Sequence, residues 1–158
     1  VGKDSSATKE TASTSEKKLL PEGIHTGKVV GISDGDTLTI LVYNTPYKIR
    51  LAEIDTPEKG QPYGTQAKKA LSELAFSKEA TVKVQTTDRY GRAVARGYIG
   101  DIDVNAELVQ QGAAWVYRKY ATDDSLYGLE NEAKEAKRGL WGLPEADRVP
   151  PWEWRKLK

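Results

Sequence analysis

Short runs of alternating apolar residues, many of them β-branched, occupy the chain between Gly23 and Asp55. Side chains of a β-strand point alternately to its two faces, so such runs indicate strands with one buried face. Gly35 separates the first run from the second, and the turn-forming stretch Tyr43-Asn44-Thr45-Pro46 separates the second from the third. The sequence therefore predicts three strands joined as a meander. Their apolar positions are Ile24, Val29, Val30, Ile32, Leu38, Ile40, Val42, Tyr47, Ile49, Leu51 and Ile54.

The pattern becomes helical after Pro57, where apolar residues recur at spacings of three and four. This periodicity predicts a helix from about Tyr63 to Ser77. Two further strands are predicted on either side of the turn Asp88–Arg92, and two further helices over Val104–Gln111 and Leu126–Lys137. In total the sequence predicts five strands and three helices.

The length of 158 residues suits one folded domain with a single core. Residues 1–20 contain few large apolar side chains, and we expect them to form a disordered leader. The folded domain is expected over residues 21–143, followed by a C-terminal extension over residues 144–158 that packs on the domain or trails it. The chain starts at Val1 without a methionine, and its first stretch is rich in Ser, Thr, Lys and Glu. This fits an exported protein, secreted or periplasmic, that has lost a signal peptide, although a boundary chosen for expression explains it equally well.

Charge and residue types exclude several kinds of function. The 24 basic and 23 acidic residues nearly cancel, so any attraction for phosphate must be local. The chain has no cysteine and one histidine, His25, which excludes thiolate metal sites and a zinc site built from histidines. No apolar run approaches the length of a membrane span, and we expect none.

Two acidic segments follow the predicted strands. Asp34-Gly35-Asp36-Thr37 closes the first strand, and the stretch from Arg50 to Glu58 ends the third. Carboxylate oxygens are the ligands that calcium and magnesium prefer, and the guanidinium of arginine matches phosphate with a planar fork of donors. The combination predicts a metal-dependent phosphodiesterase.

Five short motifs follow one another along the chain. They are Asp34-Gly35-Asp36-Thr37; Arg50-Leu51 through Asp55-Thr56-Pro57-Glu58; Asp88-Arg89-Tyr90-Gly91-Arg92; Val104-Asn105-Ala106-Glu107-Leu108-Val109-Gln110-Gln111-Gly112; and Gly139-Leu140-Trp141. Any one of them occurs by chance in many chains, whereas several in this order and spacing are hard to reach by accident. On these motifs the chain from about Gly23 to Trp141 resembles the staphylococcal nuclease (thermonuclease) family.

The resemblance implies a fold, a cofactor and an activity. The fold would be α+β and rich in β-structure: a five-stranded Greek-key barrel of the oligonucleotide-binding (OB) type with three α-helices, in agreement with the predicted strands and helices. The cofactor would be one Ca²⁺ per site. The activity would be hydrolysis of DNA and RNA to products ending in 3′-phosphate. We expect DNA and RNA as partners and a monomeric protein.

The resemblance also implies a metal site. Asp36 and Asp55 match the metal carboxylates, and the backbone carbonyl of Thr56 matches a further ligand. Asp34 would lie close behind them. A cation on a nonbridging phosphate oxygen neutralises charge that otherwise repels a nucleophile, so carboxylates at this place suit phosphodiester hydrolysis.

Three residues match the catalytic positions of the family: Arg50, Glu58 and Arg92. The carboxylate of Glu58 would accept a proton from the attacking water or orient it for in-line attack. The two arginines would strengthen their hydrogen bonds as charge accumulates on phosphorus oxygens in the transition state. A guanidinium keeps its proton far above neutral pH, so water is the better proton donor to the leaving oxygen than Arg92.

Arg89, Tyr90 and Tyr120 match positions of the nucleotide pocket. One of two tyrosines expected there is replaced by Arg118 or displaced to Tyr117. Aromatic residues near Gly112 are more often core than stacking platforms, so of Trp115, Tyr117 and Tyr120 only Tyr120 is assigned to the pocket, with Arg89 and Tyr90.

The chain departs from the best-known family member in two segments. The stretch Lys59–Tyr63 is much shorter than the lysine-rich loop found there, and this loop is where we expect substrate access and rate to differ. The tail beyond Trp141 is extra. We expect its Pro150–Arg155 segment to fold tryptophans onto the domain rather than to bind nucleic acid.

Each assigned residue also has a purely structural explanation. Asp34-Gly35-Asp36 is a common turn sequence, and Arg50 and Arg92 are compatible with solvated surface positions. Only the joint placement of these residues at strand ends favours a site. Glu53 lies in the same stretch but is assigned a surface or salt-bridge role outside it.

Two other functions compete with the enzyme. One is a catalytically inactive member of the fold that binds nucleic acid or protein, which would be expected to lose ligands or arginines; this chain has lost none. The other is a plain OB barrel that binds nucleic acid without metal, which needs no acidic cluster.

Overall fold

The structure is a computed structural model and describes residues 19–157. The strands are β1 Gly23–Asp34, β2 Thr37–Val42, β3 Thr45–Leu51, β4 Ile54–Asp55, β5 Glu79–Thr87, β6 Ala93–Ile99, β7 Ile102–Asp103 and β8 Trp115–Val116. The α-helices are α1 Gly64–Ala75, α2 Val104–Gln110, α3 Ser125–Glu135 and α4 Pro151–Trp154. Short 3₁₀ turns cover Gly139–Gly142, Glu145–Asp147 and Arg155–Leu157.

Five strands form a closed barrel of mixed direction. The hydrogen-bonded order is β3-β2-β1-β5-β6, and β3 closes the barrel by pairing in parallel with β6. Strand β1 pairs with β5 through its first half and with β2 through its second, where register shifts between Val29 and Gly31 and between Ile32 and Asp34 mark bulges that bend it. The predicted α+β fold, an OB-type barrel with helices, is confirmed. The three predicted helices are present within one to two residues of their bounds, and α4 is a fourth, in the C-terminal extension.

Two turns determine where β1, β2 and β3 begin and end. Tyr43 and Asn44 have φ of 50° and 65°, the left-handed values of a two-residue hairpin turn, so Thr45 and Pro46 belong to β3 rather than to the predicted turn. Gly35 forms the bend between β1 and β2, as predicted. A Cβ on Gly35 would lie 2.7 Å from Oγ1 of Thr56 and 2.9 Å from Cβ of Ala67, so only glycine lets this bend pack against both.

The core fills the barrel and the space beneath α1. One face of α1 is buried on it through Ala67, Leu71 and Ala75. A second, smaller cluster contains Trp115, Ala133, Leu140 and Trp141, and Trp152 packs on it. The C-terminal segment thus lies on the domain.

Most of the predicted leader, residues 1–18, lies outside the described residues. Leu20, near the end of that predicted leader, is buried in the main core. Within residues 19–157 no helix has the length and apolarity that crossing a membrane requires.

Candidate functional site

The site forms where β2, β3 and β4 end. Thr37 at the start of β2 pairs with Arg50 near the end of β3, and the amide of Leu51 donates a 2.8 Å hydrogen bond to the carbonyl of Asp36. This pairing sets the first acidic segment beside the second. Asp55 is the second residue of β4, and this strand is held in place by its pairing with β8.

Asp36 is buried and holds the second segment in place. Its Oδ2 accepts a 3.0 Å hydrogen bond from the amide of Thr56, and its Oδ1 accepts a 3.2 Å bond from the hydroxyl of Thr37. Its own amide donates to Oδ1 of Asp34 at 3.1 Å. Asp34, Asp36 and Thr56 are therefore brought together as the sequence predicts.

Arg50 joins the two predicted metal carboxylates. Its Nη2 lies 3.4 Å from Oδ2 of Asp36 and 3.4 Å from Oδ1 of Asp55. Its Nη1 donates to the carbonyls of Leu51 and Ile54 at 2.6 and 2.9 Å. Four contacts fix the guanidinium, so its orientation is set before any substrate arrives.

The carboxylates differ in their protonation equilibria. Burial, followed by the nearby charge of Asp36, raises the pKa of Asp34 to about 7 from an ordinary 3.8. Burial likewise raises the pKa of Asp55 to about 6, against the hydrogen bond from Arg155 that lowers it. Burial alone would also raise the pKa of Asp36, but Arg50 and the hydrogen bonds around Asp36 leave it below its ordinary value. Asp36 is thus the carboxylate that stays ionised most readily.

Glu58 lies in a tight turn that begins the approach to α1. Its amide donates to Oε1 of Gln61 at 2.9 Å, and the amide of Gln61 donates back to the carbonyl of Glu58 at 2.9 Å. The side chain of Gln61 also donates to the carbonyl of Val149 at 2.7 Å. The short Lys59–Tyr63 segment is therefore folded back and tied to the C-terminal segment.

Arg155, from the C-terminal segment, enters the site. Its Nη1 and Nη2 donate to the two oxygens of Asp55 at 3.1 and 2.7 Å, and its Nη1 also donates to Oε2 of Glu58 at 2.5 Å. Its Nη2 lies 3.3 Å from the hydroxyl of Tyr117. These bonds, with that to Asp55 first, raise the pKa of Arg155 above its usual range. Arg155 links the predicted base to the predicted metal ligand.

Arg92 is held within its own hairpin. Its Nε donates to Oδ2 of Asp88 at 2.8 Å, and its guanidinium lies 5.3 Å from the ring centre of Tyr90. The parallel pairing of β3 with β6 places Val94, two residues on, opposite Arg50. The fold thus places Arg92 directly before the strand that pairs with β3, while its side chain contacts Asp88 rather than the carboxylates of the site.

The predicted nucleotide residues lie on the exposed surface. Nη2 of Arg89 donates to the hydroxyl of Tyr90 at 2.7 Å, and the guanidinium also lies 4.9 Å from the centre of that ring. The exposed ring of Tyr120 meets Tyr117 edge-on at 4.9 Å. One aromatic and basic group lies in the Asp88–Arg92 hairpin and another after β8. The hydrogen bond with Tyr90 raises the pKa of Arg89, and Tyr120 is near enough to Arg89 to contribute to that rise.

The donor set fits a hard cation in its chemistry. The oxygens of Asp36 and Asp55 are buried and anionic, and the carbonyl of Thr56 belongs to the same buried corner. In residues 19–157 no three carboxylate, imidazole or thiol side chains are grouped as a metal site by themselves. A cationic guanidinium, that of Arg155, occupies the space between Asp55 and Glu58. Carboxylate and carbonyl oxygens are the ligand types that calcium and magnesium take, so the donor types suit such a cation.

Two residues of the site were missed by the sequence analysis: Arg155 and Gln61. The only sequence signal for Arg155 was the aromatic and basic composition of Pro150–Arg155. Glu53, by contrast, has the predicted salt-bridge role. It is buried, and its Oε2 lies 3.2 Å from Arg96.

Comparison with known proteins supports the resemblance. The sequence model of a family described as "Staphylococcal nuclease homologue" matches residues 48–142. An "Uncharacterized endonuclease" of Escherichia coli O157:H7 is 45% identical over 141 residues, 89% of this chain and 90% of the relative. "Micrococcal nuclease" of Shigella flexneri is 40% identical over 82% of this chain and 80% of its own. "Staphylococcal-like nuclease CAN1" of Arabidopsis thaliana is 39% identical over 71% of this chain and 34% of its own. The chain belongs to the staphylococcal nuclease family.

Proposed function

We propose that the protein is a calcium-dependent nuclease that hydrolyses phosphodiester bonds of DNA and RNA by in-line attack of water, leaving products that end in 3′-phosphate. The observation that carries this proposal is the ion-paired corner in which Arg50 bridges Asp36 and Asp55 at 3.4 Å each, beside Glu58. The names of the relatives, which include an endonuclease and a micrococcal nuclease, support the same reaction class.

The residues divide the chemistry among themselves. Glu58 would accept the proton of the attacking water once Arg155 no longer holds its carboxylate. Arg50, already oriented by two carbonyls, would donate to phosphate oxygens as charge accumulates on them. Arg92 would do the same after leaving Asp88, by rotation of its side chain.

Asp36 and Asp55, with the carbonyl of Thr56, would hold the calcium ion. When bound, the ion would supply charge neutralisation at a nonbridging phosphate oxygen. Asp36 contributes a carboxylate that stays ionised, and burial excludes water that would weaken its field.

The test is incubation with single-stranded DNA, double-stranded DNA and RNA in calcium, in magnesium and in excess chelator, followed by analysis of product ends. We expect cleavage of both nucleic acids in calcium, none in chelator, and 3′-phosphate ends. Glu58→Gln should lower turnover by about 100-fold or more, the usual size of a lost general base. Glu73→Gln makes the same chemical change at an exposed position of α1 and should leave activity unchanged.

Three results would each contradict a different part of the proposal. Cleavage that survives the chelator would exclude the cation. Equal activity of Glu58→Gln and the parent would remove Glu58 as base. Absence of cleavage by the folded protein in every metal would favour the inactive binding module.

A further inference from the structure

The contacts of Arg155 use the same carboxylates that the proposed reaction needs. Both oxygens of Asp55 and one oxygen of Glu58 accept hydrogen bonds from this single guanidinium. A planar, two-pronged arginine contact with a carboxylate is among the stronger polar contacts in proteins. An ion that takes oxygens of Asp55 must replace part of this contact, and so must a water that gives its proton to Oε2 of Glu58.

The rest of the C-terminal segment holds Arg155 close to the site. The ring of Trp152 stacks parallel to that of Tyr117, with centres 5.4 Å apart, and meets Trp115 edge-on at 5.7 Å. Pro151 is buried, and the carbonyl of Val149 accepts the hydrogen bond from Gln61. Arg155 is therefore tethered three residues from an aromatic anchor, and its local concentration at the carboxylates is high.

The side chain of Arg155 is partly exposed, unlike the carboxylate that it binds. It is 39% exposed, whereas the side chain of Asp55 is 1% exposed. The guanidinium can leave for solvent by rotation about its own side-chain bonds, with Trp152 still in place. Release thus requires no unfolding of α4.

We propose that Arg155 is a tethered counter-ion that competes with the divalent cation for Asp55 and Glu58. In the cation-free protein it neutralises the buried Asp55 and the partly exposed Glu58. Binding of the cation displaces it and frees Glu58, so the C-terminal segment sets the cation concentration at which the site becomes competent. This inference rests on the proposed function, since it assumes a cation at Asp55.

The experiment measures binding of calcium chloride alone, by titration calorimetry, to chelator-stripped full-length protein. The variants are Arg155→Gln and Arg155→Lys, with Lys156→Gln as the matched control. Lys156 is the next residue, is exposed and pairs with Glu153 at 3.6 Å, so its loss changes the net charge equally without touching the site. We expect Arg155→Gln to bind calcium about tenfold more tightly than the parent, because calcium then no longer has to displace a two-pronged ionic contact from Asp55. Lys156→Gln should stay within about twofold, and Arg155→Lys, which keeps charge but not the fork, should fall between.

Stability provides a second readout that does not depend on catalysis. Arg155→Gln leaves Asp55 without its main counter-charge in the cation-free state, so urea should unfold the variant at lower concentration than the parent. Saturating calcium should remove that difference. A destabilisation of equal size with and without calcium would make Arg155 a structural residue only and would overturn the inference.

The remaining outcomes separate this inference from the proposed function. Equal calcium affinity of the parent and Arg155→Gln would overturn the competition but keep the cation site. Weaker binding by Arg155→Gln would overturn it as well, since Arg155 would then assist the cation. An equal gain in Arg155→Gln and Lys156→Gln would reduce the effect to net charge. Absence of calcium binding by all four proteins would overturn both the inference and the calcium dependence.

Discussion

Arg155 and Asp55 stand 100 residues apart in sequence, yet their side chains meet through two hydrogen bonds of 3.1 and 2.7 Å. Asp55 is fully buried, and burial raises its pKa to about 6, so its ionised form depends on nearby positive charge. Arg50 supplies part of that charge at 3.4 Å. The other positive charge is that of Arg155. It belongs to a segment that lies beyond residues 48–142, the part of the chain that the family model matches.

Substitution Arg50→Lys should lower the turnover of nucleic-acid cleavage by about 100-fold, the size typical of losing one oriented donor in the transition state. Lysine keeps the charge but lacks the planar fork, so it cannot hold the carbonyls of Leu51 and Ile54 and still reach both Asp36 and Asp55. Steady-state kinetics on a DNA substrate would measure the change. Arg138→Lys, on an exposed arginine that contacts the carbonyl of Gln110, is the control. Rates near those of the parent would show that charge alone suffices at position 50.

Substitution Asp36→Asn should raise the dissociation constant for calcium by about tenfold or more, because the ligand loses its charge while keeping its shape. Asparagine can still accept the hydrogen bond from the amide of Thr56, so the corner should stay folded. Calorimetry on chelator-stripped protein gives the constant. Asp101→Asn, at an exposed position after β6, should bind calcium like the parent. A calcium titration that matches the parent would exclude Asp36 as a ligand.

The barrel and the acidic corner were predictable because their signals are local. Alternating apolar residues indicated β1 to β3, and Gly35 marked the bend that brings Asp34 and Asp36 to a strand end. Once the strands are placed, antiparallel pairing of β2 with β3 puts Thr37 opposite Arg50. The convergence of Asp36, Arg50 and Asp55 follows from strand order, without knowledge of any side-chain contact.

Other contacts were not predictable because they join residues far apart without any periodic signal. Arg155 reaches Asp55 from a segment held by the stacking of Trp152 on Tyr117, and no pattern in the sequence pairs those two rings. The position of Arg92 shows the reverse case. It directly precedes the strand that pairs with β3, but the neighbouring Asp88 holds its side chain. Topology therefore positions a residue, while local hydrogen bonds decide where its side chain points.

Substitution Glu53→Gln should destabilise the fold by about 2–3 kcal/mol, the range for removing one charge from a buried, hydrogen-bonded network. Oε1 of Glu53 accepts from the amides of Thr122 and Asp123 at 2.7 and 2.8 Å, and its Oε2 pairs with Arg96. The side-chain NH2 group of glutamine would then face either the guanidinium of Arg96 or the backbone N–H groups of Thr122 and Asp123, and two donors cannot form a hydrogen bond with each other.

Urea unfolding would measure the loss at position 53. Glu73→Gln, in an exposed pair with Lys69 at 4.0 Å, should cost less than about 0.5 kcal/mol. Calcium affinity of Glu53→Gln should match the parent, since Glu53 lies outside the site. A fold as stable as the parent would show that the loop after β8 does not depend on this carboxylate.

The stability of the cation-free protein should fall as pH rises from about 4 to about 7. The pKa of Asp34 is about 7 and that of Asp55 about 6, both raised from 3.8, so in this window the native state holds protons that the unfolded chain has released. Asp36 and Asp88, whose pKa values are lowered, oppose this trend only below their ordinary value of 3.8.

Thermal unfolding in chelator across this pH range measures the effect of the two raised pKa values. Asp34→Asn should flatten the fall in melting temperature, because asparagine cannot release a proton, whereas Asp101→Asn should keep the slope of the parent. Saturating calcium should flatten it in the parent too, because a cation favours the ionised carboxylates. A melting temperature that rises with pH across this window, in chelator, would mean that Asp34 and Asp55 are ionised in the native state at lower pH than the buried corner implies.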